Sequence, residues 1–221
     1  MISRTELNER VHEWGLREDV IEKDYIIGWL LWGIGSNPRL SASWAFKGGT
    51  CLKKCYLETY RFSEDLDFTV LPGGAIKAAE VTPLLEEIFG RIYEQAGVDF
   101  RVRPAVLRTR PDGKSAEGRV YYRGPRNAPG VARIKLDLTE AEQVIRPTVL
   151  RQISHPYPDQ LPAPATIRCY SFEELFAEKL RAMGERSRPR DLYDIVNLFR
   201  RKEFRPHAEL IRSVYVQKCK T

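Results

Sequence analysis

The stretch from Phe46 to Thr69, FKGGTCLKKCYLETYRFSEDLDFT, decides how this chain is interpreted. It begins with a glycine pair and a threonine, and it ends with two aspartates one residue apart. In a β-strand, side chains two residues apart share a face, so Asp65 and Asp67 would point together. Two adjacent carboxylates repel each other unless a cation lies between them, and such hard oxygen ligands suit Mg²⁺ or Mn²⁺. A bare DxD is short, and the alternative is a pair of exposed acids on an edge strand.

The glycine pair lies where a predicted strand ending at Lys47 meets a predicted helix. Gly48 and Gly49 would let the backbone approach a phosphate, and the start of a helix favours negative charge. Thr50 is the predicted N-cap and offers a hydroxyl, while Lys47 or Lys53 adds positive charge. The sequence contains no GxxxxGK[ST] segment, so this turn is not a Walker A loop.

A third acid occurs in the segment ARIKLDLT, where Lys135, Asp137 and Thr139 alternate with apolar residues. A neighbouring strand could therefore bring Asp137 beside Asp65 and Asp67. Three convergent carboxylates facing a glycine turn are the parts needed for metal-assisted phosphoryl or nucleotidyl transfer.

The positive charge is concentrated in one segment of the chain. The 221 residues carry a net charge of +6, yet the segment from Arg101 to Lys135 has ten Lys or Arg against Asp112 and Glu117, a net +8. Such a local excess indicates a polyanionic partner, most simply a nucleic acid or a nucleotide. The alternative is a solvated face of arginines.

The chain is predicted to be cytoplasmic, without a membrane partner. The longest apolar run, IIGWLLWGIG, is too short to span a bilayer, and the charged N-terminus has no signal-peptide block. Cys51 and Cys55 are one helical turn apart, whereas Cys169 and Cys219 stand alone in the sequence. This spacing predicts ordinary reduced thiols and no zinc site.

Helices, then a mixed sheet, then further helices predict an α+β fold. The predicted helices before the C-terminal third cover residues 3–14, 18–32, 50–57 and 81–96, and the predicted strands cover 43–47, 62–70, 98–110, 119–123 and 131–139. Residues 147–164 are proline-rich and are predicted to cross the surface. Two more helices are predicted, one from a capping box at Ser171–Glu174 and one over Arg190–Phe199. We predict N-terminal helices at 1–40, a core sheet at 41–165 and a C-terminal helical lobe at 166–221.

The motifs FKGGT and RFSEDLDF together resemble the signature of the nucleotidyltransferase superfamily, in the form found in the AbiEii/AbiGii branch of abortive-infection toxins. Three other segments are similar to motifs of that branch: IEKDY at 21–25, FEELFAEKLRAM at 172–183 and RPRDLYDIVNL at 188–198. Together they extend over nearly the whole chain. Thr50 stands where the superfamily often has serine, which keeps the hydroxyl.

The resemblance implies a polymerase β-like nucleotidyltransferase core, a mixed sheet with helices, followed by a C-terminal helical lobe. It implies an enzyme that moves a nucleoside monophosphate from an NTP to an acceptor, with Mg²⁺ or Mn²⁺ as cofactor. It also implies the toxin of a toxin–antitoxin system, with the 3′ end of tRNA as acceptor and a cognate antitoxin as partner. The arginine-rich strands would then follow the RNA backbone.

The resemblance and the residue patterns together give the candidate site. The predicted nucleotide-binding residues are Lys47, Gly48, Gly49, Thr50, Ser63 and Lys179. The predicted catalytic residues are Ser63, Asp65, Asp67, Asp137, Lys179, Asp191 and Asp194, with the metal held by Asp65, Asp67 and Asp137. From the residues alone, Lys179 is equally well explained as a surface lysine, and Asp194 as the partner of Arg190 in a helix salt bridge.

Two other functions fit parts of the sequence. An inactive nucleotide- or RNA-binding module would keep the glycine turn and the basic strands, but it has no need of paired carboxylates. Nucleotidyl transfer to a protein or a small molecule would keep the chemistry, but it leaves the basic segment without a role.

Overall fold

The computed structural model describes residues 1–57, 61–186, 188–200 and 208–220. Its centre is a seven-stranded mixed sheet with the strand order β3-β4-β5-β2-β1-β7-β6. The strands are β1 (Trp44–Lys47), β2 (Asp65–Val70), β3 (Val106–Thr109), β4 (Ser115–Tyr122), β5 (Ala132–Thr139), β6 (Val149–Gln152) and β7 (Thr166–Cys169). The helices are α1 (Arg4–Trp14), α2 (Glu18–Ser36), α3 (Pro38–Ser43), α4 (Gly48–Cys55), α5 (Ala78–Ala96), α6 (Phe172–Arg186), α7 (Pro189–Arg200) and α8 (Ala208–Lys218). The predicted order of helices, sheet and helices is confirmed.

Strand β2 lies in the middle of the sheet. It pairs antiparallel with β1 on one side and parallel with β5 on the other. Leu66 and Phe68 on β2 are fully buried, as are Ile134 and Leu136 on β5. One face of the sheet therefore carries the core, and the alternate residues of the same strands lie on the opposite face.

Helix α2 is buried almost all round, and it continues past the predicted end at residue 32 to Ser36. A Cβ atom on Gly33 would lie 2.4 Å from Ile88 Cγ2, and one on Gly35 would lie 2.2 Å from the carbonyl oxygen of Thr166. The glycines of α2 thus allow close packing against α5 and β7. The prediction that they end the helix is wrong.

A buried ion pair joins α2 to α4. Lys54 Nζ lies 2.6 Å from Asp24 Oδ2, and both side chains are at most 2% exposed. The hydroxyl of Tyr157 donates a second hydrogen bond to the same Asp24 oxygen at 2.8 Å. The segment IEKDY, which contains Asp24, is therefore an anchor for the helix that follows the glycine pair.

The predicted strand over residues 98–110 is wrong for most of its length. Regular pairing is confined to β3, and Asp99 forms only an isolated bridge with Arg123. Pro104 interrupts the segment and has no N–H to donate to a neighbouring strand. In contrast, residues 149–152 within the proline-rich segment form β6, which pairs with β7 at the sheet edge.

The C-terminal helices are held to the rest of the molecule by buried polar contacts. Ser171 Oγ accepts from the Glu174 N–H at 3.2 Å, as predicted for a capping box. The Glu174 carboxylate instead accepts from the backbone of Ile145 and Arg146, so only half of the box forms. Lys218 on α8 lies 2.7 Å from the same carboxylate. The helical lobe predicted from residue 166 begins instead with β7, and its first helix begins at Phe172.

Cys169 does not stand alone in the structure. Its position on β7 brings it to Cys51 and Cys55 on α4, and all three side chains are buried. Sequence spacing could not show this contact because more than a hundred residues separate the two elements. Cys219 is exposed.

None of the described helices is both long enough and apolar enough to cross a lipid bilayer.

Candidate active site

Three carboxylates meet on the face of the sheet opposite the core. In the registers of β1, β2 and β5, Asp67 lies between Lys47 and Asp137, and Asp65 lies opposite Lys135. Asp65 is exposed at the start of β2, while Asp67 and Asp137 are partly buried. The predicted convergence of Asp137 with the two aspartates of the DxD is confirmed.

The glycine pair packs directly against these acids. Gly48 has φ +81°, a backbone conformation that disfavours other residues. A Cβ atom there would lie 2.5 Å from Asp67 Oδ2, and one on Gly49 would lie 3.1 Å from Ser63 Oγ. The turn brings bare backbone against Asp67 and Ser63 at the start of α4, where the first amides have no intrahelical acceptor.

The predicted N-cap role of Thr50 is wrong. Helix α4 begins at Gly48, so Thr50 lies within its first turn, and Lys47 occupies the cap position without a capping side-chain hydrogen bond. The Thr50 hydroxyl donates to the backbone oxygen of Asp65 at 2.5 Å. Thr50 therefore fixes the first residue of the DxD relative to the glycine turn.

The two carboxylates of the DxD have no ion-pair partner in the part of the chain that the structure describes. Among the described residues, no cationic nitrogen lies within 4.0 Å of a carboxylate oxygen of Asp65 or Asp67. Burial raises the pKa of Asp67 to about 6, and the nearby charges of Asp137 and Asp65 add to the rise although Lys47 opposes it. Lys47 itself pairs with Glu142. A partly buried carboxylate that resists ionisation beside two other acids fits a divalent cation as its missing partner.

Lys179 faces the same site from helix α6. Its side chain is 10% exposed and its Nζ lies 2.7 Å from Asp194 Oδ2 and 3.7 Å from Asp191 Oδ1. It lines a cavity of about 220 Å³ together with Gly48 and Asp67. The alternative of an exposed surface lysine is therefore excluded.

Asp191 and Asp194 are fully buried and paired with arginines. Arg186 Nε and Nη2 donate to the two oxygens of Asp191 at 2.9 and 3.0 Å. Arg61 Nε and Nη2 donate to those of Asp194 at 2.7 and 2.8 Å. Burial alone would raise the pKa of Asp191, but the hydrogen bonds and charge of Arg186 lower it below its usual value.

Two arginines of the site were missed from the sequence. Arg61 Nη2 lies 3.1 Å from the position of a Cβ on Gly49, so it joins Asp194 to the glycine turn. Arg186 lines the cavity that contains Lys179 and Asp67. Arg61 could have been suspected, because it stands two residues before Ser63 in the opening stretch. Nothing local distinguishes Arg186 from the other basic residues of α6.

The sheet face beyond the acids is basic. Arg119 on β4 is the register partner of Lys135, and Tyr121 is the partner of Arg133. Register partners share a face, so these side chains continue the surface that begins at Asp65. The guanidinium of Arg103 stacks 4.5 Å from the centre of the Tyr121 ring. A positive surface thus leads away from the carboxylates, with the buried ring of Tyr121 beneath Arg103.

Comparison with known proteins agrees with this geometry. MenT4, a nucleotidyltransferase toxin from Mycobacterium tuberculosis H37Rv, has a similar structure with a TM-score of 0.67 and 24% sequence identity, covering 99% of this chain and 70% of MenT4. This likeness supports the fold. No curated protein matches the chain. The family model of the nucleotidyl transferase AbiEii toxin of type IV toxin–antitoxin systems matches residues 29–221. The chain therefore belongs to the AbiEii family of nucleotidyltransferase toxins.

Proposed function

We propose that this enzyme transfers a nucleoside monophosphate from an NTP to the 3′ end of a tRNA, using Mg²⁺ or Mn²⁺ held by Asp65 and Asp67. The observation that carries the proposal is the group of three sheet carboxylates beside the glycine turn, with no ion pair to either acid of the DxD among the described residues. Toxins of this family act on a nucleoside triphosphate and are restrained by an antitoxin. The tRNA acceptor, the metal and a cytoplasmic location are parts of the proposal.

The triphosphate would bind at the start of α4. Gly48 and Gly49 leave space for phosphate oxygens to meet backbone amides, and Ser63 supplies a hydroxyl beside them. Lys179 and Arg186 line the adjoining cavity and would neutralise the phosphate charge. Lys47 lies on the same cavity wall, and we expect it to exchange its contact with Glu142 for the nucleotide.

Asp65 and Asp67 would hold the metal, and Asp137 would serve as a third ligand or as the base for the acceptor hydroxyl. A divalent cation bound there supplies Lewis acidity toward the phosphoryl group and its leaving pyrophosphate. Lys135 Nζ lies 2.5 Å from Asp137 Oδ2, so Asp137 must leave that contact or share it when it acts. Thr50 keeps Asp65 in place during the reaction through its backbone hydrogen bond.

Asp191 and Asp194 would act as positioning residues. Asp194 lies 2.7 Å from the ammonium of Lys179 and Asp191 lies 3.7 Å from it, and each acid also accepts from an arginine. These contacts would hold Lys179 toward the nucleotide cavity. Asp194 also holds Arg61 against the glycine turn. This assignment gives the C-terminal motif a role in catalysis without contact between its acids and the reacting atoms.

The RNA acceptor would lie on the basic sheet face. Arg119, Arg133 and Lys135 are exposed and extend from the carboxylates along β4 and β5. Contacts of this kind bind a phosphate backbone without reading sequence, and Tyr121 with Arg103 adds a ring and a cation near the surface.

The proposal is tested by label transfer. Purified protein is incubated with Mg²⁺, each α-³²P-labelled NTP in turn and total tRNA, beside the Asp65→Ala variant. We expect label on tRNA only with the unmodified protein, and removal of the label by enzymes that trim the 3′ end.

Circular dichroism provides the control, since Asp65 is exposed and its replacement should leave the fold intact. Label on a protein or a small molecule, with none on tRNA, would support nucleotidyl transfer but show that tRNA is not the acceptor. Equal transfer by folded Asp65→Ala protein would refute the site.

A further inference from the structure

Three buried sulfur atoms meet between α4 and β7. The Sγ atoms of Cys51, Cys55 and Cys169 all lie within 4.8 Å of one another. The spacing of four residues places Cys51 and Cys55 on one face of α4, and β7 delivers Cys169 beside them. The exposed fractions of the three residues are 0%, 6% and 0%.

These distances are close to those of a thiolate metal site. Zinc–sulfur bonds of about 2.3 Å place sulfur ligands about 3.8–4.0 Å apart in tetrahedral or trigonal geometry. The cluster therefore needs a contraction of less than about 1 Å to surround a cation, which side-chain rotation at two or three cysteines can provide.

The surroundings provide an entrance and a balancing charge. Cys55 lines an open cavity of about 690 Å³, together with Tyr56 and Arg151. Arg151 Nε donates to the carbonyl oxygen of Cys55 at 3.2 Å, and its guanidinium lies 4.6 Å from the centre of the Tyr56 ring. Three thiolates and a divalent cation carry a net charge of −1, which Arg151 offsets. A monovalent cation would leave −2, so the charge favours a divalent ion.

We propose that Cys51, Cys55 and Cys169 form a binding site for a thiophilic divalent cation of the Zn²⁺ class. Three metal–sulfur bonds form, and the thiols release their protons to solvent as they do so. The bound ion would fasten α4 to β7. Because α4 begins at Gly48, three residues before Cys51, the site would also brace the glycine turn. Soft sulfur ligands separate this ion from the Mg²⁺ or Mn²⁺ proposed at the carboxylates.

The test is a Cd²⁺ titration of the reduced protein, followed by the ultraviolet sulfur-to-cadmium charge-transfer band. We expect saturation at one Cd²⁺ per chain and displacement by Zn²⁺. Cys169→Ala should lose about a third of the band and at least about tenfold in affinity, since loss of a ligand costs no less than loss of an outer-shell contact. Cys219→Ser is the matched control and should keep both.

A second measurement avoids any variant that fails to fold. The ¹¹³Cd NMR shift of the unmodified protein should fall in the range for three sulfur ligands, and Asp65→Ala should leave it unchanged. Absence of a charge-transfer band in the unmodified protein would overturn the proposal. So would a band that Cys219→Ser removes, or a shift typical of oxygen ligands alone.

Discussion

The two groups of aspartates in this molecule have opposite surroundings. Asp191 and Asp194 on α7 are completely buried, and three cationic side chains surround them. Asp65 and Asp67 on β2 are more exposed, yet within the described structure no cation lies within salt-bridge distance of either carboxylate. The sequence offers both pairs as candidates for the same chemistry, because each is a pair of acids within a family-like motif.

The difference separates two uses of a carboxylate. A buried acid whose charge is already balanced by arginine and lysine gains little from a metal and serves to orient its partners. An acid left beside other acids keeps its oxygens available and gains most from a divalent cation. The surrounding charge therefore distinguishes a metal-binding acid from a positioning acid.

The largest difference between the two groups of aspartates should appear with Asp67→Asn. We expect the transfer rate to fall at least about a thousandfold, because a weakened metal site loses charge stabilisation in the transition state. The same variant should unfold at higher denaturant concentration at pH 8, since a partly buried charge is removed. Initial rates and urea unfolding would be measured on one preparation. A variant that loses both activity and stability would place Asp67 with the structural acids.

Asp194→Ala should give the opposite result for stability. Removing this acid leaves Lys179 and Arg61 without their shared partner, and breaking a buried ion pair costs about 3 kcal/mol. Urea unfolding monitored by circular dichroism measures the change. Glu86→Ala, an exposed acid on α5, is the matched control and should shift the free energy of unfolding by less than about 0.5 kcal/mol.

The raised pKa of Asp67 predicts a pH-dependent difference between the unmodified protein and Asp67→Asn. In the folded state Asp67 stays protonated up to about pH 6, whereas the ordinary pKa of an aspartate is 3.8. This carboxyl therefore lowers the free energy of unfolding as the pH rises from 3.8 to about 6. The advantage of Asp67→Asn should grow by about 2 kcal/mol from pH 4 to pH 7. Unfolding would be followed in EDTA. An advantage independent of pH would contradict the assigned pKa.

The smallest expected effect is on the basic sheet face. Arg119→Gln should weaken tRNA binding about two- to fivefold and lower the slope of log affinity against log salt by about 1, as for one lost phosphate contact. Fluorescence anisotropy at several salt concentrations would measure this. Arg39→Gln, at an exposed position on α3, should change neither quantity.

Local periodicity predicted the parts of the site that lie on single strands. Alternation placed Asp65 and Asp67 on one face of β2. It also placed Asp137 on the polar face of β5, and the register of β5 with β2 brings Asp137 beside Asp67. The same reasoning failed over residues 98–110, where alternation continued but a proline prevented pairing.

Contacts between distant segments could not be predicted in this way. The pairing of Asp194 with Arg61 joins residues 133 positions apart, and the meeting of Cys169 with α4 depends on the strand order of the sheet. The predicted end of α2 was also wrong. Its glycines allow close packing against neighbouring elements and do not end the helix, and this packing cannot be read from the local sequence.

The central position of β2 also determines how this toxin can be inactivated. A central strand paired on both sides opens to solvent mainly through global unfolding, so we expect the amide hydrogens of β2 to exchange slowly. Loosening a surface loop therefore leaves the carboxylates in place. We expect an inhibitor to cover the carboxylates, fill the cavity beside Lys179 or block the basic sheet face, since the arrangement of Asp65 and Asp67 persists while β2 stays paired.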